Sequence, residues 1–199
     1  MRDNLLPGSR AFRHAASILF CASDRALGVV ERRVLPRMFF WARRGLTPDS
    51  LRGARLVFVC QGNVCRSPFA EGYARRRLRE VEVHAVGLSE IDGRVPPAEA
   101  RAAAAGFDVD LSGHRSRSLG SAVITAKDLF LVMDGSNLQG LERQRPGSLH
   151  RAFLLDPHVA IEDPFGKSPI VFQAVYSQIA RAIDRLATLA DLEAPRDER

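Results

Sequence analysis

The sequence lacks the long apolar segments that mark membrane-spanning and secreted proteins. No apolar run approaches the roughly 20 residues that a helix needs to cross a bilayer. The two longest runs near the start, Ala15–Ala22 and Met38–Ala42, are short and closely flanked by arginine. The N-terminus also has no apolar stretch followed by a small-residue cleavage site, as a secretory signal would. We therefore expect the chain to be cytoplasmic.

Cysteine is scarce, with three residues in a chain of 199: Cys21, Cys60 and Cys65. An odd, small number without regular spacing argues against a small secreted fold held together by disulfides. Two of the three, Cys60 and Cys65, lie five positions apart at the end of an apolar run, and this placement indicates a chemically reactive site.

Excess positive charge is missing from most of the chain, although the net charge is +6. Residues 1–55 hold 11 arginines against 4 acidic residues, a balance of +7, so the remainder carries −1. A high pI would otherwise suggest nucleic-acid binding. Here the positive charge belongs to an N-terminal extension, and we expect no nucleic-acid partner.

A boundary near Thr47-Pro48-Asp49 divides the chain into an extension, residues 1–50, and a domain, residues 51–195. Apolar residues recur at helical spacing between the arginines of the extension: Phe12, Ala16, Leu19, Leu27, Val30, Val34, Met38 and Trp41. A basic amphipathic helix of this kind can pack on a protein surface or lie on an anionic membrane at its inner face. An organellar presequence is a third alternative.

Short apolar runs alternate with helical patterns beyond the boundary. The predicted strands are Arg55–Cys60, Val81–Val86, Leu129–Met133 and Ala152–Leu155, and the predicted helices are Ser67–Glu80, Pro97–Gly106, Ser136–Arg145 and Pro169–Leu192. This alternation predicts an α/β fold with a doubly wound, four-stranded parallel sheet and helices on both faces. Functional sites in such sheets lie beyond the carboxyl ends of the strands.

The first predicted strand runs directly into the string Cys60-Gln61-Gly62-Asn63-Val64-Cys65-Arg66-Ser67. A loop between a strand and a helix can turn successive N–H groups inward, which forms an anion-binding nest. A thiol at its base would ionise more easily, and the fork of Arg66 could hold two phosphate oxygens. Gly62 permits close backbone approach, and Ser67 is expected to cap the helix and to reach the Cys60 sulfur.

The complete string decides between two interpretations of Cys60. A lone cysteine at a strand end is usually a small buried residue, whereas the string in this strand–loop–helix context indicates a nucleophile. A nucleotide-binding loop is excluded, because the ending Gly-Lys-Ser/Thr is absent.

The segment Val57–Glu71, which contains this string, resembles the signature of low-molecular-weight protein-tyrosine phosphatases of the bacterial type. The resemblance extends over about 140 residues, from Arg55 to near Leu192. It implies a cysteine-dependent enzyme that hydrolyses phosphotyrosine in proteins through a phosphocysteine intermediate, without metal or cofactor. Bacterial members often act beside tyrosine kinases, so a phosphorylated protein, such as a tyrosine kinase, is the implied partner.

Displacing a phosphoryl group from an aryl oxygen requires a proton donor for the leaving group. Asp156 and Asp163 both follow the fourth predicted strand and both precede proline, so local chemistry does not separate them. The resemblance selects Asp163, which would join Cys60 and Arg66 as the catalytic residues.

The resemblance also implies a hydrogen-bond network of Asn63, Ser67 and His114 that holds the loop open and tunes the thiol. Cys65 corresponds to the second cysteine of the family, which can form a reversible disulfide with Cys60 and protect it from overoxidation. The implied substrate-binding residues are those of the loop together with one aromatic side chain: Gln61, Gly62, Asn63, Val64, Cys65, Arg66 and Phe165.

Three other functions are compatible with this type of loop. Protein-arginine phosphatases resemble it but carry threonine where this chain has Val64, which favours phosphotyrosine. Arsenate reductases pass oxidation to further cysteines, and no cysteine follows Cys65. A phosphate-binding module without activity would be expected to lack Cys60, Arg66 or Asp163, and all three are present.

Overall fold

The computed structural model describes residue 42 and residues 45–191. The predicted helices of the extension lie outside these described residues, as does the last residue of the predicted closing helix. None of the helices within the described residues is both long and apolar enough to cross a bilayer.

Strands and helices alternate along the described chain as the sequence predicts. The helices are α1 (Pro48–Leu51), α2 (Arg66–Arg77), α3 (Ala98–Ala105), α4 (Gly135–Gln144) and α5 (Pro169–Asp191), and the strands are β1 (Arg55–Cys60), β2 (Glu82–Gly87), β3 (Asp128–Val132) and β4 (Ala152–Leu154). A single 3₁₀ turn, Ser148–Arg151, precedes β4. The predicted boundaries therefore differ from the observed ones by three residues or fewer in the described chain.

The four strands form one parallel sheet in the order β2-β1-β3-β4. The chain leaves the central strand β1 for β2 on one side and then crosses to β3 on the other side. This reversal places a topological switch point at the carboxyl end of β1, where doubly wound sheets bind their ligands. The predicted fold class is confirmed.

Both faces of the sheet are covered, which explains why β1 is apolar at successive positions. Leu56 and Phe58 pack on one face with residues of α2, α3 and α5. Val57 and Val59 pack on the other face with residues that include Leu138 of α4. Because side chains of a strand alternate between faces, a strand buried on both faces needs a continuous apolar run.

The long helix α5 lies across the first face through a single apolar stripe. Its buried residues recur at intervals of three and four, as expected for one side of a helix: Phe172, Val175, Tyr176, Ile179, Ile183 and Leu186. The ring of Tyr176 stacks on that of Phe69 in α2, with ring centroids 3.9 Å apart. This contact fixes α2 against α5.

A buried ion pair joins the opposite, N-terminal ends of β1 and β3. The Asp128 carboxylate is fully buried and accepts from Nε and Nη2 of Arg55 at 2.6 and 2.7 Å. It also accepts from the amide and the hydroxyl of Thr125. Burial raises the pKa of Asp128, but these hydrogen bonds outweigh it and the pKa lies below its usual value.

Replacement Asp128→Asn should lower the free energy of unfolding by about 3 kcal/mol, because it leaves the Arg55 guanidinium largely buried without its countercharge. Urea denaturation of the two proteins measures the difference. The matched control is Glu82→Gln, since Glu82 is the exposed partner of the same arginine at 3.7 Å. The control should leave the unfolding midpoint unchanged, and equal losses in both variants would contradict the role of the buried pair.

Candidate active site

The candidate site lies in the loop between β1 and α2, at the carboxyl edge of the sheet. This loop, residues 60–66, is called the phosphate loop below. Segments that follow the other strands surround it: residues 87–94 after β2, Asp134 after β3, and residues 161–165 after β4. The sequence placed these segments at strand ends, and the parallel sheet brings those ends together.

The carbonyl oxygens of the phosphate loop accept hydrogen bonds from groups outside the loop. The carbonyls of Cys60 and Gln61 accept from the amides of residues 88 and 89 at 3.0 and 2.8 Å. The Gly62 carbonyl accepts from Arg94 Nη2 at 2.7 Å. The Asn63 carbonyl lies 2.9 Å from His114 Nε2. Four consecutive carbonyls are therefore held facing away from the centre of the loop.

Outward carbonyls turn the following amides inward, because C=O and N–H point in opposite directions across a trans peptide bond. The Asn63 amide demonstrates this arrangement, since it donates to Cys60 Sγ at 3.2 Å. Asn63 adopts a left-handed conformation with φ of 51°, which asparagine tolerates better than most residues. The loop thus forms the concave set of donors that binds anions, with the Cys60 sulfur at its base.

Asn63, Ser67 and His114 belong to one hydrogen-bond network. Asn63 Nδ2 donates to Ser67 Oγ at 2.9 Å, and Asn63 Oδ1 accepts from the Arg117 amide at 2.8 Å. Ser67 Oγ lies 3.1 Å from Cys60 Sγ and donates to the carbonyl of residue 86 at 3.2 Å. The predicted cap by Ser67 is wrong, because α2 begins at Arg66 and its N-cap, Cys65, makes no side-chain cap.

Gly87 is the point where β2 touches the phosphate loop. A Cβ atom on this glycine would lie 3.0 Å from the backbone nitrogen and Cβ of Asn63 and from the carbonyl carbon of Gly62. A side chain here would displace the loop from the position in which residues 88 and 89 donate to it.

The side chain of Arg66 is almost fully buried and is held by two carboxylates. Nη1 donates to Asp134 Oδ2 at 2.7 Å and to the Ile161 carbonyl at 3.0 Å. Nη2 donates to Asp163 Oδ2 at 2.7 Å. Nε is buried and has no hydrogen-bond partner. One charged donor at the start of α2 is thus available to an anion in the loop.

The two Asp-Pro aspartates that the sequence leaves equivalent have different surroundings. Asp163 lines the same pocket as Cys60 and pairs with Arg66. Asp156 accepts from Gln178 Nε2 at 3.2 Å and lies 3.3 Å from Arg185 Nη2, and both partners belong to α5. The structure therefore brings Asp163, and not Asp156, into the pocket that Cys60 lines.

Cys65 is buried behind the loop, 3% exposed, and is a free thiol like Cys60. Burial and, secondarily, the negative charges of Cys60 and Asp163 raise its pKa to about 12. Cys65 is therefore protonated at neutral pH, and its pairing with Cys60 under oxidation stays a prediction.

A pocket of about 130 Å³ opens above the loop. Its lining contains five of the seven predicted substrate-binding residues together with Cys60, Asp163 and one arginine: Cys60, Gln61, Gly62, Val64, Cys65, Arg94, Asp163 and Phe165. Asn63 and Arg66 lie behind the lining, where they are buried. No cluster of His, Cys, Asp or Glu in the described part of the chain is arranged to hold a metal ion.

Three residues of the site were not identified from the sequence: Asp134, Arg94 and Tyr176. Asp134 and Arg94 bind Arg66 and Gly62 as described above. The hydroxyl of Tyr176 donates to the Cys65 carbonyl at 3.2 Å. Asp134 lies two residues beyond the end of β3, and this position near a strand end was an available signal. Arg94 and Tyr176 carry no local signal, because only the fold brings them to the loop.

A model of the family described as low molecular weight phosphotyrosine protein phosphatase matches residues 55–197. A probable low molecular weight protein-tyrosine-phosphatase of Ralstonia nicotianae, EpsP, is 31% identical over 65% of this chain and 90% of its own length. The low molecular weight protein-tyrosine-phosphatase Wzb of Escherichia coli K12 is 30% identical over 69% of this chain and 96% of its own.

Solved structures match with similar coverage. Vibrio vulnificus Wzb in complex with benzylphosphonate has a TM-score of 0.63 at 27% identity, covering 68% of this chain and 97% of that chain. The YwlE arginine phosphatase of Geobacillus stearothermophilus has a TM-score of 0.62 at 26% identity, covering 73% and 98%. Phosphatases named for two different substrates thus share this fold.

The pH dependence of stability should report on His114. Burial lowers the pKa of His114 below its usual 6.5, so the unfolded chain binds this proton more tightly than the folded chain. The contribution is fully present above pH 6.5 and is lost as the pH falls towards the folded pKa. Glutamine can donate to Asn63 but does not titrate. The stability of wild type relative to His114→Gln should therefore fall between about pH 7.5 and about pH 5 in urea denaturation. A constant difference over this range would contradict a buried, neutral His114.

Proposed function

The chain belongs to the low-molecular-weight phosphotyrosine protein phosphatase family, and we propose that it hydrolyses phosphotyrosine in proteins through a phosphocysteine on Cys60. The observation that carries the proposal is the shared pocket of Cys60 and Asp163, whose floor is the phosphate loop. A nucleophile and a carboxyl group across a small pocket are what phosphoryl transfer from an aryl oxygen requires.

The first step transfers the phosphoryl group to the enzyme. The substrate phosphate binds the inward amides of the loop and Nε of Arg66, and it displaces Asp163 from Nη2. Asp163, freed from the guanidinium, takes up a proton from solvent. The Cys60 thiolate then attacks phosphorus, the P–O bond to the aryl group breaks, and the leaving oxygen takes a proton from Asp163. The amides and Arg66 stabilise the equatorial oxygens throughout.

The second step releases phosphate. Asp163, now a carboxylate, accepts a proton from water as the water oxygen attacks phosphorus. The P–S bond breaks, inorganic phosphate leaves, and Cys60 returns as a thiolate. Asn63, Ser67 and His114 act by holding the loop around the sulfur, at the distances described above.

Phosphoarginine is the alternative substrate, because one solved neighbour is named an arginine phosphatase. Val64 lines the pocket, and the family resemblance implies a threonine at this position in arginine phosphatases. Valine offers no hydroxyl to a polar guanidinium group, which favours the phosphotyrosine assignment.

We also propose that the chain divides into an extension, residues 1–50, and a phosphatase domain, residues 51–195. The extension would contact a membrane surface or a protein. We propose in addition that the phosphorylated partner is a tyrosine kinase. This proposal is supported by relatives whose names identify them as protein-tyrosine phosphatases.

Hydrolysis of a phosphotyrosine peptide and a phosphoarginine peptide, compared side by side without metal, tests the assignment. We expect turnover of phosphotyrosine that Cys60→Ser abolishes, since a serine hydroxyl is a far weaker nucleophile at neutral pH. Preference for phosphoarginine would keep the mechanism and overturn the substrate. Failure of the wild type on both peptides would overturn the enzymatic proposal.

The role of Asp163 is tested by a matched pair of aspartate substitutions. Asp163→Asn should lower kcat for phosphotyrosine by about 10²- to 10⁴-fold, the usual contribution of a general acid. The loss should be smaller for p-nitrophenyl phosphate, whose leaving oxygen is less basic and needs protonation less. Asp156→Asn is the control and should stay within about threefold of wild type, because Asp156 contacts α5 and general-acid catalysis requires reach to the reacting oxygen. Equal effects at the two positions would exclude Asp163 as the acid.

A further inference from the structure

Arg94 reaches the phosphate loop from the segment that follows β2. Its Nη2 donates to the Gly62 carbonyl at 2.7 Å. A Cβ atom added to Gly62 would lie 3.0 Å from the same nitrogen, so the guanidinium packs directly on the loop backbone. The backbone of Arg94 is also fixed, because its amide donates to Ser116 Oγ at 2.9 Å and its carbonyl accepts from the Ser116 amide.

This position places Arg94 outside the nest that binds phosphate. The Gly62 carbonyl points away from the centre of the loop, so a group that donates to it lies on the outer side. Arg94 nevertheless lines the pocket together with Gln61 and Phe165. Its guanidinium therefore faces the parts of a substrate that extend beyond the phosphate.

The guanidinium of Arg94 retains donors for such a contact. Its Nη2 is bound to Gly62 and its Nε is buried without a partner, whereas Nη1 makes no hydrogen bond or ion pair with the described residues. The nearby carboxylates are already engaged: Asp163 pairs with Arg66, and Asp92 accepts from the Ser118 amide at 2.5 Å. Among the residues that the structure describes, no carboxylate forms an ion pair with Arg94.

The size of the pocket determines what reaches this arginine. A pocket of about 130 Å³ is far smaller than a peptide, so only the phosphorylated side chain can enter it. The rest of a peptide must then lie over the mouth of the pocket, which Arg94 lines together with Phe165, an aromatic side chain that is 61% exposed. Arg94 is the one cationic side chain among the described residues that line the pocket.

We propose that Arg94 is a specificity-determining residue that binds a carboxylate next to the phosphorylated residue, so that the enzyme prefers acidic phosphopeptides. The inference rests on the proposed phosphotyrosine phosphatase function. A fixed guanidinium with free donors binds a carboxylate through charge-assisted hydrogen bonds, and its tie to Gly62 keeps it in place before the substrate arrives.

The test compares two phosphotyrosine peptides of equal length, one with glutamates beside the phosphotyrosine and one with glutamines at the same positions. The wild type should favour the acidic peptide by about tenfold in kcat/KM, mainly through KM. Arg94→Gln should lower turnover of both peptides through the lost bond to Gly62, and should reduce the ratio between them to about one. Arg94→Lys keeps the charge without the fork and should retain part of the preference.

Arg79→Gln is the matched control, because Arg79 is an exposed arginine beyond the end of α2, far from the phosphate loop. It changes the net charge equally and should keep the wild-type ratio. An unchanged ratio in Arg94→Gln, or a wild type without preference for the acidic peptide, would overturn the proposal. Equal losses for both peptides would restrict Arg94 to positioning the loop and would overturn it as well. A wild type that hydrolyses neither peptide would count against the proposed function instead.

Discussion

The outward orientation of the phosphate-loop carbonyls is the constraint on which the rest of the site depends. Four consecutive peptide units must present their N–H groups to one anion, which leaves four carbonyls that need partners elsewhere. The donors come from two backbone amides after β2, from Arg94 and from His114. An unsatisfied buried carbonyl would destabilise the loop by about 1–3 kcal/mol. The binding geometry is therefore maintained by segments that never touch the phosphate.

The parallel sheet is what brings these segments together. β1 lies between β2 and β3, so the chain segments after its two neighbours flank the loop on opposite sides. The segment after β2 approaches through Gly87, where a side chain would collide with the loop. The segment after β3 supplies Asp134 to Arg66. A core that is apolar on both faces of β1 holds the strands in the register that this arrangement requires.

The sequence predicts the parts of this structure that have a local cause. A continuous apolar run predicts β1, and the string from Cys60 to Ser67 predicts an anion-binding loop, because both depend on neighbouring residues. Asp156 and Asp163 could not be separated in this way, since each precedes proline and the difference lies in contacts with α5 or with Arg66. Arg94 was missed for the same reason. Its segment has no periodicity, and its function depends on a carbonyl 32 positions away.

The two carboxylates that hold Arg66 differ in how firmly they are themselves fixed. Asp134 also caps α4, accepting from the Asn137 amide at 2.8 Å and from the Ser136 hydroxyl at 2.6 Å. Burial raises the pKa of Asp134, but these hydrogen bonds and Arg66 lower it by more than burial raises it. The pKa therefore lies below its usual value, and the carboxylate stays ionised. Asp163 is 46% exposed, and besides Arg66 its carboxylate accepts from the Phe165 amide. An incoming phosphate that competes for Arg66 will therefore displace Asp163 and leave Asp134 in place. In the proposed mechanism, the same displacement frees Asp163 to take up a proton and to act as the acid, so substrate binding itself would prepare the acid.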